Sequence, residues 1–181
     1  MRMGVPAQAT CVLVFGGSLG ARSINMAAVE AFAGAPFHVL HVSGRRDHAE
    51  LAARGLPADY DLRAYLPLAD FTDALGAADL VVARSGGSVF EIAAHGLPAV
   101  LIPYPHAAAD HQSTNARWMA DAGAALVIAD SELSGARLGG EVAALLADRR
   151  RLEAMGSASA GLARPRAAGE IAAELLEAGS S

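Results

Sequence analysis

Residues 11–25 read CVLVFGGSLGARSIN. Five apolar residues in a row are followed at once by Gly16, Gly17 and Gly20, and then by a segment with helical spacing. An unbroken apolar run of this length fits a β-strand covered on both faces. The pattern recurs outward from here. Apolar runs at 37–42, 60–66, 79–83, 98–103 and 125–129 are dense in Val, Ile and Leu. Ala-rich segments with helical spacing lie between them at 19–33, 47–54, 68–77, 88–95, 109–122 and 134–147, and two more follow at 149–162 and 167–178. Six strand–helix alternations specify an α/β fold: a Rossmann-like, doubly wound parallel sheet of about six strands between two helical layers.

Local punctuation supports the boundaries. Gly96 and Pro98 follow the helical EIAAH, and Gly123 follows ARWMADA, as helix stops do. Asp110 is placed as the N-cap of the helix that starts at His111. The Gly/Ala/Pro-rich stretch 157–169 marks a bend before the last helix. There is no internal repeat.

Composition narrows the class. The 181 residues fit a single domain, 1–181, with 53% hydrophobic and 18% charged residues, which is a globular balance. A formal net charge of -5 and scattered arginines argue against a nucleic-acid partner. The Arg pair beginning at Arg45 reads as solvated surface. Cys11, the single cysteine, opens an apolar run and reads as a core thiol. No apolar run approaches the roughly 20 residues that span a bilayer, and the first ten residues do not resemble a secretory signal, so a cytoplasmic protein is expected.

In open parallel sheets ligands bind at the carboxyl ends of the strands. The loops there hold most of the chain's Gly, His and small polar residues. Gly16, Gly17, Ser18 and Gly20 open the first helix, where free N–H groups suit a diphosphate; a tight strand–helix turn would need the same glycines. Residues 16–20 also match G-x-S-x-G, so a serine hydrolase with Ser18 as nucleophile is a rival, weakened by the absence of an upstream oxyanion-hole loop. After the fourth strand come Arg84, Gly86, Gly87, Ser88 and Glu91. Ser88 and Glu91 spell a capping box, while Glu91 at a crevice-facing helix start could equally bind a ribose diol. After the fifth strand, His106, Asp110, His111, Gln112 and Asn115 form a dense polar group able to read sugar hydroxyls; two His and one Asp at this spacing fit no standard zinc pattern. His38 and His41 read as core or edge residues, His95 as a helix C-terminal partner, and Trp118 and Met119 as packing residues.

The segments GGSLGARSIN and RSGGSVFEIAAHGLPAVLIPYPHAAADHQSTNARWMADAGAA resemble the C-terminal domain of the MurG glycosyltransferases, glycosyltransferase family 28. The resemblance runs from about Cys11 to the last helix. It implies one half of a GT-B architecture: a UDP-sugar-binding domain whose acceptor-binding N-terminal partner is absent from these residues, as is the family's G-N-P-V-R segment. It implies UDP-GlcNAc as donor, with Gly17 and Ser18 at the diphosphate, Tyr65 and Leu66 beside uracil, Glu91 on the ribose, and His111 and Gln112 on the GlcNAc hydroxyls. His106 and Asp110 would stand nearby. The implied enzyme is inverting, needs no cofactor or metal, and keeps its base in the missing half. It adds GlcNAc to undecaprenyl-diphospho-muramoyl-pentapeptide at the inner face of the membrane. This chain would bind donor with little transfer, alone or as one subunit of a split transferase beside a separate acceptor-domain protein. One departure stands out: the loop 84–88 is one residue shorter than the family's R-x-G-x-[ST]-x-x-x-E pattern, which bears on Ser88.

Overall fold

The computed structural model describes residues 3–17 and 19–179; Ser18 lies outside the described residues. Six strands form one sheet: β1 (Cys11–Phe15), β2 (His38–Val42), β3 (Tyr60–Arg63), β4 (Leu80–Ala83), β5 (Ala99–Leu101) and β6 (Ala125–Val127). Their order is β3-β2-β1-β4-β5-β6, and every pairing is parallel. The chain winds outward through β2 and β3, then returns to lay β4 on the other side of β1. The switch point therefore falls between β1 and β4, where a crevice opens in folds of this kind. The helices are α1 (Arg22–Phe32), α2 (Arg45–Ala52), α3 (Leu68–Ala77), α4 (Val89–Ala94), α5 (His111–Asp121), α6 (Gly135–Ala147), α7 (Arg149–Gly161) and α8 (Ala167–Ala178).

The two-residue period of β1 divides the core. Val12 and Val14 pack on one face with Ile24 and Ala28 of α1 and Leu138 and Val142 of α6. Cys11, Leu13 and Phe15 pack on the other with Leu75 of α3, Ile92 of α4 and Met119 of α5. Each such side chain removed from water contributes about 1.5–3 kcal/mol, so β1 is the anchor that both layers share. Burial and the nearby Asp79 carboxylate push the Cys11 thiol up to about 12, which agrees with an inert core thiol.

Several boundaries move, for local reasons. The strand expected over 60–66 ends at Arg63, because β2 turns away at Gly44 (φ 80) and leaves residues 64–66 without a ladder partner. That frees Tyr65 and Leu66 to sit in a loop. The first helix starts at Arg22 rather than 19, since Gly20 is left-handed (φ 77). The second starts two residues early, at Arg45. Asp110 precedes α5 but is not a side-chain cap: it is left-handed (φ 54) and makes no capping hydrogen bond. The expected capping box is also absent. Ser88 is already helical (φ -60, ψ -12) and its side chain accepts no cap bond. Gly96 and Gly123 end their helices at positive φ, as expected. Among the described residues no helix is long and apolar enough to cross a membrane.

Candidate functional site

Two cavities meet at Gly17, at the carboxyl ends of β1, β2 and β4. The first, of about 260 Å³, is lined mainly by Phe15, Val42, Tyr65, Leu66, Phe71 and Glu91, with Leu68 and Ser88 at its edge. It is an apolar slot with one carboxylate, Glu91, in its wall. The second, of about 570 Å³, is lined by the loop Gly16–Ser23 (its described residues) with Arg46, Arg84, Tyr104, Gln112 and Asp130. Three arginines, Arg22, Arg46 and Arg84, stand on its wall with Gln112 and Asp130. A flat ring, a diol and a charged group in series would find matching walls in this order.

The glycines of the first loop have separable reasons. A methyl group at Gly16 would overlap Ala21, and one at Gly20 would overlap the carbonyl of Ser43. Those two glycines are required by the fold, which presses the β1–α1 and β2–α2 loops together; a methyl at Gly44 would lie 2.6 Å from Gly20 Cα. Gly17 differs. Its φ of 93 needs glycine, yet a methyl there would meet nothing within 4 Å. Gly86 and Gly87 have ordinary φ and no close neighbour apart from Gln112 Nε2, 3.9 Å from a methyl on Gly86. The fold does not account for glycine at 86 and 87.

Arg84 is committed to the protein. Its Nη1 donates to the carbonyls of Ile102 and Pro103 (both 3.1 Å) and pairs with Asp130 at 2.7 Å; Nη2 donates to Ser23 Oγ at 2.8 Å. Ser23 in turn donates to Asp130. This triangle ties the end of β4 to the first turn of α1 and to the loop after β6. Arg84 thus lines the cleft as a brace. Next to it, Ser85 Oγ donates to the Gln112 carbonyl and Asn115 Nδ2 donates to the Ser85 carbonyl, which fixes α5 across the Gly86–Gly87 turn. Gln112 Oε1 accepts from the Tyr104 N–H at 3.0 Å, so its amide is oriented with the Nε2 donor left for the cleft. His111 lies beside it with Nδ1 on the Ala108 carbonyl at 2.7 Å. Ala109 and Asp110 are both left-handed, a conformation costing a non-glycine residue about 1–2 kcal/mol. Gly86, Gly87, His106, Asp110 and His111 line neither cavity; His106 packs edge-on to Tyr104 at 5.6 Å.

Beneath the first loop runs a buried polar chain. Asn25 Nδ2 donates to the Ser43 carbonyl (2.8 Å) and to Asp47 (2.9 Å), which only accept. Asn25 Oδ1 must then accept from His41 Nε2 at 3.0 Å, and His41 Nδ1 accepts from the Tyr60 hydroxyl at 2.8 Å. Burial lowers the His41 pKa to about 4, so the ring is neutral and the chain has one direction. Burial likewise raises the Tyr60 hydroxyl. At the other end, hydrogen bonds from Arg46 first, then from Asn25, hold Asp47 below the usual carboxylate range against the cost of burial.

Residues 11–171 match the family model described as "Glycosyltransferase family 28 C-terminal domain". The chain belongs to glycosyltransferase family 28. A relative from Rubrobacter xylanophilus, named UDP-N-acetylglucosamine–N-acetylmuramyl-(pentapeptide) pyrophosphoryl-undecaprenol N-acetylglucosamine transferase, is 44% identical over 171 residues, covering 93% of this chain and 49% of the relative. In structure, the chain is similar to MurG of Acinetobacter baumannii (TM-score 0.80, 28% identity, 95% of this chain and 51% of that one). It is also similar to CalG4, the calicheamicin glycosyltransferase (TM-score 0.71, 27% identity, 94% and 44%). The chain spans about half the length of the relatives it matches.

For this family 28 domain, the structure gathers Tyr65, Leu66, Ser88 and Glu91 in one cavity and Gly16, Gly17, Gly20, Arg84 and Gln112 in the other. The sequence reading missed Phe15, Val42 and Phe71 as cleft walls and Arg46 as a cleft cation. The apolar three are indistinguishable in sequence from core. Arg46 carried a signal, its place after a strand in SGRRD, which the general rule for Arg pairs overrode.

Proposed function

We propose that this chain binds UDP-GlcNAc as the donor half of an inverting N-acetylglucosaminyltransferase of peptidoglycan synthesis. The observation that carries the proposal is the junction, at Gly17 on the switch point, of an apolar slot that includes Glu91 with a cleft lined by the glycine loop, three arginines and Gln112. Uracil fits the slot between Phe15, Val42, Tyr65, Leu66 and Phe71, where backbone groups beside Tyr65 can read its edge. The Glu91 carboxylate accepts from the ribose diol. The diphosphate lies over the glycine loop, facing the N-terminus of α1, and the Gln112 amide with neighbouring His111 reads the sugar. The names of the relatives supply GlcNAc and the undecaprenyl-linked acceptor.

Transfer begins when a base removes the proton from the acceptor hydroxyl. The oxygen attacks the anomeric carbon, the bond to the β-phosphate breaks, and UDP leaves. The α1 N-terminal N–H groups stabilise the charge that grows on the diphosphate, without a cofactor or metal. The base and acceptor groove belong to an N-terminal half, where the complete enzyme meets the inner membrane face. This chain alone binds donor and transfers little. In this assignment residues 16–20 are a phosphate loop, and Ser18 is not a hydrolytic nucleophile.

Titration calorimetry with UDP-GlcNAc, UDP-glucose and NADH tests the reading. UDP-GlcNAc is expected to bind, to be weakened by Gln112→Ala, and to bind better than UDP-glucose. Absence of binding to any uridine nucleotide would overturn it.

A further inference from the structure

Arg46 stands where no motif reading placed it. It lies in the first turn of α2, and its loop is pressed onto the glycine loop because Gly20 and Gly44 meet backbone to backbone. The N-termini of α1 and α2 therefore open on the same cleft, and Arg46 lines it beside Gly17 and Gly20. Its side chain is 61% exposed, yet it is not free to wander: Nε and Nη2 donate to the two oxygens of Asp47 at 3.0 and 3.3 Å. Asp47 is itself buried and held by Asn25. One edge of the guanidinium is thus fixed to a rigid anchor, leaving Nη1 as the donor of the remaining edge. Arg22, which lines the same cleft, makes a two-pronged pair with Glu50 (2.7 and 3.1 Å) and reaches Asp47 at 3.5 Å. Arg84 is consumed as a brace. Of these three arginines, Arg46 has the most exposed side chain (61% against 54% and 10%), and its ion pair runs along one edge only.

We propose that Arg46 is a further binding residue of the donor cleft: its free guanidinium edge contacts the diphosphate of the bound nucleotide, with Asp47 and Asn25 as positioning residues behind it. This rests on the nucleotide reading given above. It explains the length of the buried chain from Tyr60 to Asp47, which aims a surface arginine by means of an interior carboxylate. A lysine could not replace it, since a single ammonium cannot bind the carboxylate along one edge and phosphate along the other.

The test is calorimetry on the 181-residue chain with UDP and with uridine, using wild type, Arg46→Ala, Arg46→Gln and Arg46→Lys, each checked by thermal unfolding. UDP affinity is expected to fall about tenfold in Arg46→Ala and Arg46→Gln, as for loss of a charge-assisted contact, with Arg46→Lys restoring little. Uridine affinity is expected to stay within twofold throughout. Equal losses for UDP and uridine, or no loss for UDP, would refute the role of Arg46 while leaving the nucleotide site intact. If the wild type binds neither compound, the nucleotide reading itself falls and takes this inference with it.

Discussion

Glu91→Gln separates the two readings of this residue, a helix cap and a ribose ligand. The structure denies it the cap: Ser88 is helical, makes no cap bond through its side chain, and Glu91 faces the slot. A capping box would cost about 1 kcal/mol when broken, or roughly 2–4 °C in a domain of this size. We expect a melting temperature within 1 °C of wild type, on the order of 0.3 kcal/mol. Binding should respond instead. A hydrogen bond to a charged acceptor contributes about 1.5–3 kcal/mol, and the exposure of Glu91 puts it at the lower end. UDP affinity should therefore drop about tenfold, since about 1.4 kcal/mol is a factor of ten. The decisive comparison is 2′-deoxy-UDP, which lacks one of the two hydroxyls. In wild type it should bind several-fold more weakly than UDP, and in Glu91→Gln the two should differ by less than twofold. If Glu91→Gln keeps full UDP affinity, or weakens both nucleotides equally, the carboxylate does not hold the diol and the reasoning is wrong.

Two further outcomes follow from the same geometry. Gly20→Ala should lose about 2–5 kcal/mol of stability in denaturant titration, because a left-handed φ and overlap with the Ser43 carbonyl act together, whereas Gly17→Ala should lose only about 1–2 kcal/mol but bind UDP much more weakly. The neutral His41 gives a pH signature: with its folded pKa lowered to about 4 against 6.5 unfolded, the unfolded chain binds the proton between those values and the folded one does not. Its stability contribution is therefore full above pH 6.5 and is lost as pH falls toward 4, about 3 kcal/mol in all. Urea titrations across that window should show the slope in wild type and lose it in His41→Asn.

Much of the site was legible because it is local. CVLVF followed by GGSLGAR places a strand end, a turn and a helix start within residues 15–22, and the positive φ of Gly17 and Gly20 is a local requirement for glycine. The parallel sheet followed from unbroken apolar runs, since strands covered on both faces have no polar side to show. Of the polar group expected after β5, Gln112 alone lines either cavity, because the left-handed Ala109 and Asp110 set the path of the loop. Other readings failed where local grammar had more than one solution. Ser88–Glu91 spells a cap, but a capping bond requires an extended Ser88, and the short loop enters the helix already helical.

The sequence by itself determined the fold class, the strand that anchors both layers, and the loops that could carry function. Only the tertiary structure decided how each arginine of the cleft is engaged. Arg22, Arg46 and Arg84 look alike in sequence and line one cleft, yet one is paired with Glu50, one is built into a brace 61 residues from its Ser23 partner, and one is held by Asp47 along a single edge. Likewise the bonded neighbours Tyr60–His41, His41–Asn25 and Asn25–Asp47 lie 16 to 22 residues apart along the chain and meet because β2, β3, α1 and α2 converge under one loop. The physical reason is range. Backbone conformation and apolar periodicity are set by neighbours a few residues away, whereas the partner of a buried charge or amide is chosen by the packing of whole elements.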